Sequence, residues 1–528
     1  MGNYLNVGNA GFEAMIKDIY VDKTGMIKYI NRTLGTTRKL TCFSRPRRFG
    51  KSFAAKMLCA YYDKSCDSRK LFQGLAISKD VSFEKYLNKF DVIYLDITWF
   101  ISSVEDIKNT VCILQEKVIK ELREAYPDAR QEHTLPETLA AISEITRSKF
   151  IVIIDEWDAL FREVKDDRDL QDEYIMLLRG LFKNSGLTDK IIEAAYMTGI
   201  LPIKKYGNQS AVSDFIEYNM LEPEPLEEYV GFTEEEVRAL CAGSRLGFED
   251  IQKWYDGYVL GDNIHVYNPK SVIEAVNRNR IRNYWTRTET YESLKVYIDL
   301  DEDGLKDAII QMLSGKHVKI KVGSFQNDMT NIKSKDDVLT LLVHLGYLAY
   351  DSGEEAVFIP NEEVRQEFVL AVTTGKHKEL AELIRNSDRL LEQTLKMNEE
   401  AVAAAVEEAH KAVSSPISYN NEESLRSTIR LAYLTCIDEF MRFQELPSGK
   451  GYADLAFVPK KGSSMPVILI ELKWNKSDEG AIKQIKNRDY PYVLKDYGSD
   501  ILLVGINYDE KSKKHTCKIE KYKKENMS

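Results

Sequence analysis

The sequence predicts an α/β protein with chemistry at both ends. A parallel sheet with helices on both faces comes first. A largely helical region with a small two-stranded wing follows, and a second, smaller α/β domain closes the chain. Three stretches carry this reading. Lys39-Leu-Thr-Cys-Phe43 reads as a short strand running into Ser44-Arg-Pro-Arg-Arg-Phe-Gly-Lys-Ser52 and then a helix from Phe53 to Tyr62. Phe150-Ile-Val-Ile-Ile154 is an apolar run that ends in Asp155 and Glu156. Asp454 and Glu471-Leu-Lys473 lie on two strands flanking the turn segment Pro459-Lys-Lys-Gly-Ser-Ser-Met-Pro466.

The first stretch has the chemistry of a phosphate cradle. Successive backbone N–H groups at a loop-to-helix junction bind anions. Gly50 permits the close approach, Lys51 would reach the outer phosphates and the Ser52 hydroxyl would hold Mg²⁺. In G-x-x-x-x-G-K-[ST] the first glycine would stand at position 45, which is Arg45. Taken alone, the tripeptide also fits an ordinary strand-to-helix turn. The run at 150–156 adds a second motif in the right order. It reads as a buried parallel strand on which Asp155 would bind Mg²⁺, through water, and Glu156 would act as general base on the attacking water. Ala194-Ala-Tyr-Met-Thr-Gly199 reads as a further core strand whose polar end, Thr198, would sense the γ-phosphate. Asp91–Ile97 supplies one more strand and Ser103–Tyr126 an amphipathic helix. Strands alternating with helices give the parallel sheet of a P-loop NTPase.

Asp18-Ile-Tyr-Val-Asp-Lys-Thr24, Ser44–Ser52 and Ile154-Asp-Glu-Trp-Asp158 together resemble the AAA-ATPase-like family of bacterial proteins, which typically carry a PD-(D/E)XK nuclease-like domain at the C-terminus. Arg-Pro-Arg-Arg-Phe-Gly-Lys-Ser is the usual loop of that family. The resemblance therefore makes Arg45 ordinary there and implies that Arg47 and Arg48 join the nucleotide-binding set. It implies ATP as cofactor. It also gives residues 1–35 a place ahead of the core, in contact with nucleotide or a neighbouring subunit; a packing arm is the alternative.

Prolines and acids at Glu222-Pro-Glu-Pro225 mark a change of pattern. The expected domains are an arm at 1–35, the ATPase domain at 36–222, a helical and winged-helix-like lid region at 223–375, and the last domain at 376–528. Within the lid region, Thr233-Glu-Glu-Glu236 starts a helix. Arg278, Arg280, Arg282 and Arg287 surround Tyr284 and Trp285; this is either a single-strand nucleic-acid platform or a cationic helix end over core aromatics. Asp336–Leu348 reads as a helix, followed by a wing at Tyr347–Tyr350 and Ala356–Ile359. Residues 363–413 read as continuously helical.

In the last domain, positions 454 and 471 are equidistant from the junction of Gly462 and Ser463, the centre of the turn segment. A simple hairpin would set Asp454 opposite Glu471, with Lys473 on the same face. Opposed like charges destabilise a sheet. A divalent cation held by Asp454 and Glu471 relieves that, with Lys473 orienting water and stabilising charge in the transition state. Asp…Glu-x-Lys closely resembles the signature of the PD-(D/E)XK nuclease fold. The resemblance implies Glu422 as a helix carboxylate of the metal site and Gln484 as an accessory residue, ahead of Asp438, Glu439 and Glu445. Mg²⁺, or Mn²⁺, would be the metal. The basic run Lys511–Lys524 lies along a phosphate backbone or forms a solvated tail.

The 528 residues, 44% hydrophobic and 30% charged, have the composition of a globular protein of three or four domains. Net charge is −10, which opposes whole-surface attraction to DNA but not a local basic groove. The seven dispersed cysteines and the absence of C-x-x-C argue for reduced thiols. No signal pattern or membrane-length apolar run is found, so the expected location is the cytoplasm. DNA is the expected partner, a membrane is not, and a homo-oligomer is open. Two function classes follow. One is an ATPase that controls a metal-dependent nuclease acting on DNA, in defence against mobile DNA or its maintenance. The other is an ATP-switched scaffold whose nuclease-like domain only binds nucleic acid.

Overall fold

The run expected to be a buried strand is β3 (Phe150–Asp155), covered at all six positions. Its isoleucines contribute about 2 kcal/mol each by burial, which offsets the cost of burying an aspartate at its end. The computed structural model describes the chain except residues 1, 184, 204, 207–208, 211, 213, 262, 286–290, 301–303, 326–331, 333, 376–377, 414–421, 435, 437–439, 449–450, 460–464, 488–499 and 524–528. It divides into two compact units, Met1–Tyr284 with Ile320–Asn361, and Trp285–Lys319 with Glu362–Ser528.

In the first unit β3 belongs to a parallel sheet with β1 (Leu40–Ser44), β2 (Asp91–Asp96), β4 (Ile192–Gly199) and β5 (Ile216–Tyr218), in the order β2-β3-β4-β1-β5. All carboxyl ends emerge along one edge, where ligands of open α/β sheets bind. Helix α1 (Lys51–Tyr62) leaves the loop after β1. Most of it is buried; Phe53, at 56% exposed, and Lys56 face outward, and Ser52 is half-buried. The expected helix at 103–126 is shorter. It runs Thr110–Ala125, because residues 107–109 form a separate 3₁₀ turn that Asp106 caps at its start by accepting from Lys108 N.

The N-terminal segment packs as an arm. Leu5 bridges to Ile93 of β2, Gly8 N donates to Asp63, and Lys23 Nζ donates to Glu236 at 2.6 Å. Thr233 and Glu236 form the expected capping box. Beyond it Trp254, Tyr255, Tyr258, Tyr267 and Tyr284 are buried, as is Trp285 in the second unit. Arg278 pairs with Glu274. The aromatics are therefore core and not a stacking platform; Arg287 lies outside the described residues. The helix expected at 336–348 runs Lys335–Leu345, ended by Gly346 at φ +86°. β6 (Ala349–Asp351) and β7 (Ala356–Phe358) then form the antiparallel wing.

In the second unit the stretch expected to be one helix is three: Glu362–Thr374, Lys378–Leu395 and Glu399–Val413. The first helix stops just before Gly375. The second break is at Met397, at φ +58°, where the Asn398 side chain caps the next helix by accepting from Ala401 N. A five-stranded sheet follows, β8 (Phe440–Ser448), β9 (Gly451–Pro459), β10 (Val467–Trp474), β11 (Asp500–Asp509) and β12 (Lys514–Lys523), in that order, with β10 and β11 parallel and the other pairs antiparallel. Among the described residues no helix is long and apolar enough to cross a membrane.

His344, on the helix before the wing, is buried, and its ring stacks on Phe325. Burial, and then the guanidinium of Arg45, push its pKa down to about 3. It stays neutral in the native state but takes a proton in the unfolded chain below about pH 6.5. Stability is therefore lost as pH falls from about 6.5 toward 3. Urea denaturation at pH 7 and pH 5 should show His344→Phe gaining roughly 2 kcal/mol on the wild type between the two pH values; a constant difference would contradict this assignment.

Candidate active sites

At the carboxyl edge of the first sheet, the loop after β1 makes room for a lysine beneath it. Arg45 continues the strand, its N–H bonding Gly199 O at 3.0 Å, so this position needs no glycine. The left-handed residues come later, at Arg48 (φ +69°) and Gly50 (φ +98°). Arg45 is wholly buried with its guanidinium 4.8 Å from the Phe43 ring centre, and burial pushes its pKa down to about 10. Lys51 is buried as well. Its Nζ donates to the carbonyls of Arg45 and Pro46, both at 3.0 Å, and lies 3.5 Å from Glu156 Oε1. Arg48 is exposed on the loop and Arg47 half-buried. The charge of Arg47 acts on Glu156.

β3 and β4 bring the remaining groups to this lysine. Thr198 donates to Asp155, and Ser52, the second residue of α1, acts on the same carboxylate. Tyr94 of β2 reaches Asp155 Oδ2 at 3.4 Å. Burial holds the Asp155 carboxyl above its ordinary range, against the opposing bonds from Thr198 and Ser52. A buried carboxylate beside a serine hydroxyl is a donor pair that fits Mg²⁺. Glu156 has φ +53°, and its N–H points to Thr198 Oγ1 at 3.2 Å. Burial acts to raise its proton affinity; Lys51 and Arg162 more than reverse this, and the carboxyl sits below the usual glutamate range.

Arg162 does not stand out in the sequence, and Asp158 appears there only as the last residue of the Ile154–Asp158 motif, with no role attached. Arg162, on α2 (Ala159–Glu163), bonds Glu156 Oε2 at 2.5 Å and Asp158 Oδ2 at 3.0 Å. Asp158 Oδ2 also accepts the N–H groups of Ile200 and Leu201, just past β4. The i,i+4 spacing of Asp158 and Arg162 is the signal that could have found them.

The second constellation follows from strand parity. Leu455 lies opposite Ile470 and Phe457 opposite Ile468. The same register continued by one residue sets Asp454 opposite Glu471. Ala456, Val458, Val467 and Leu469 form a core with Ile482 and Ile485 of α4 (Asp478–Asn487). Asp454, Glu471 and Lys473 share that face by the period of two, at the end where the apolar cover stops. Gly505, next to Glu471 on β11, lets α4 approach: a Cβ there would lie 2.4 Å from Asp478 O. That brings Gln484 of α4 within hydrogen-bonding reach of Glu471. Lys473 Nζ bonds Glu471 Oε1 at 3.0 Å.

Asp454 is held more firmly than a bare ligand. Its Oδ2 accepts from Leu472 N at 2.8 Å and its Oδ1 from Arg426 at 2.6 Å. Arg426 lies on α3 (Glu422–Ala432). The side chains of Glu422 and Glu445, and all of Asp438 and Glu439, lie outside the described residues. The two carboxylates form a hard donor set that fits a divalent cation, with Arg426 as the competitor at Asp454. Residues 514–523 of the basic run form the edge strand β12, in which Lys518 pairs with Glu399 and Lys521 with Asp500; Lys524 lies outside the described residues. The part at 514–523 is therefore a paired strand and not a tail.

Residues 6–207 match the family described as predicted AAA-ATPase, and residues 420–518 match the PD-(D/E)XK nuclease superfamily. No curated protein matches the chain by sequence. Similar solved structures include a DNA replication initiation factor (10% identity, 79% of this chain and 90% of that one, TM-score 0.25). C. elegans PCH-2 (13%, 64% and 71%, TM-score 0.21) and the Aeropyrum pernix ORC2 protein in its ADPNP–ADP complexes (10%, 68% and 96%, TM-score 0.26) are also similar.

The anchoring of Asp454 has a consequence for stability. Asp454→Ala leaves the buried Leu472 N–H without its acceptor, at a cost of about 1–3 kcal/mol. Asp454→Asn keeps an acceptor there. Calorimetry should find the alanine variant melting several degrees below the asparagine variant; equal melting temperatures would show that the bond to Leu472 carries no stability.

Proposed function

Starting from a chain that carries a predicted AAA-ATPase domain at residues 6–207 and a PD-(D/E)XK nuclease superfamily domain at 420–518, we propose that the protein binds and hydrolyses ATP and cleaves phosphodiester bonds in DNA. The observation that carries the reading is the convergence of Lys51, Ser52, Asp155, Glu156 and Thr198 at one sheet edge, and of Asp454, Glu471, Lys473 and Gln484 on one face of another.

In the ATPase site Lys51 exchanges the carbonyls of Arg45 and Pro46 for the outer phosphates, and the N-terminus of α1 faces them with its N–H groups. Ser52 and Asp155 hold Mg²⁺, which when bound supplies neutralisation of phosphate charge. Glu156 takes a proton from the attacking water, and Thr198, which contacts both acidic residues, senses the γ-phosphate. In the nuclease-like site Asp454 and Glu471, with Glu422 as the family resemblance implies, would hold Mg²⁺ or Mn²⁺, which would supply Lewis-acid activation of water. Lys473 orients the attacking water and offsets the charge that develops on the phosphate, and Gln484 fixes Glu471.

One observation favours the second reading, a nuclease-like domain that only binds nucleic acid: Arg426 is seated on Asp454, where a metal would bind. Cleavage assays decide between the two. With plasmid, linear and single-stranded DNA and RNA, Mg²⁺ or Mn²⁺, with and without ATP, the wild type should cut DNA and Glu471→Gln should not. No cutting under any condition would transfer the assignment to the binding module. For the ATPase, Lys51→Ala should abolish ATP binding. Glu156→Gln should bind ATP and lose hydrolysis by about 10²-fold or more. Unchanged hydrolysis in Glu156→Gln would remove that residue from the role of base.

A further inference from the structure

The carboxylate of Glu156 is held at both oxygens. Lys51 approaches Oε1 at 3.5 Å and Arg162 bonds Oε2 at 2.5 Å. The two cations differ in what holds them. Lys51 otherwise contacts loop carbonyls, which phosphates can replace. Arg162 is buried and anchored on Asp158, and Asp158 is bonded in turn to the backbone at Ile200 and Leu201. Nothing in the binding of phosphates by the loop removes Arg162 from Glu156. The backbone of Glu156, at φ +53°, fixes the direction from which its side chain leaves β3.

We propose that Arg162 is a positioning residue that restrains Glu156, and that opening this ion pair limits the rate of ATP hydrolysis. The inference rests on the assignment of Glu156 as general base. In the hydrolytic step the water oxygen bonds the γ-phosphorus and the bridging oxygen bond to that phosphorus breaks. ADP leaves with the bond electrons, and the water proton passes to a carboxylate oxygen of Glu156. Oε2, bonded to the Arg162 guanidinium, is turned away from that proton, and the same bond fixes the plane of the carboxylate and so the direction of Oε1, the oxygen that Lys51 vacates. The fork of Arg162 spans Glu156 and Asp158 with two different nitrogens, a geometry that the single ammonium of a lysine cannot reproduce.

The test is steady-state ATPase kinetics of the full-length protein with saturating Mg²⁺. Arg162→Met should raise kcat by roughly 3–10-fold and leave KM within about twofold. Arg162→Lys, which keeps a charge at the buried site, should give a smaller rise in kcat; it serves if the methionine variant does not fold. In a Glu156→Gln background Arg162→Met should change nothing, because the restrained group is gone. A kcat that falls in both Arg162 variants, or an unchanged kcat with a raised KM, overturns the restraint. A rise in the Glu156→Gln background overturns it as well, since Arg162 would then act elsewhere. Loss of the general-base assignment reads out separately, as full hydrolysis in Glu156→Gln alone.

Discussion

The burial of acidic groups on covered strands is the constraint on which both candidate sites depend. β3 is a covered strand that ends in a carboxylate and β10 a covered strand that carries one at Glu471, and a buried carboxylate needs a cation or several donors. The chain supplies them itself: Lys51 and Arg162 for Glu156, Thr198 and Ser52 for Asp155, Arg426 for Asp454, Lys473 and Gln484 for Glu471. Each such partner is a group that ligand or metal binding would have to engage, replace or leave in place. The contrast between Lys51, resting on loop carbonyls, and Arg162, tied to Asp158, sets apart a group free to change partners from one held by the fold.

Much of this arrangement is legible in the sequence because it depends on period and order. The isoleucine run of β3 specifies a strand buried on both faces, and its terminal acids fall at the sheet edge by the same rule that brings Gly50 and Lys51 there. The equal spacing of Asp454 and Glu471 about their turn dictates that they oppose each other, and the observed register of Leu455 with Ile470 agrees. Gln484, expected only by resemblance, meets Glu471 because Gly505 lets its helix come close.

What cannot be read locally depends on tertiary partners. In sequence Arg45 looks like a defect in a glycine motif; in the fold the left-handed turn moves to Arg48 and Gly50, and the arginine becomes a core residue over Phe43. Arg162 and Arg426 lie on helices that announce themselves only by spacing, and their partners sit 6 and 28 positions away in the chain. The stretch 363–413 has helical composition throughout, and its division at Gly375 and Met397 is a matter of caps and backbone sign that periodicity does not report. The lysines of β12 form a charge run in sequence, but pairing with Glu399 and Asp500 makes two of them structural.

The most direct measurement is a crystal structure of the full-length protein with Mg²⁺ and a non-hydrolysable ATP analogue. In it Lys51 Nζ should leave the carbonyls of Arg45 and Pro46 for the outer phosphates, and the Ser52 hydroxyl should turn from Asp155 to the metal, while Arg162 remains on Asp158. Nucleotide seated away from the loop of Ser44–Ser52, or Lys51 unmoved beneath it, would contradict the exchange of partners on which the ATPase assignment depends.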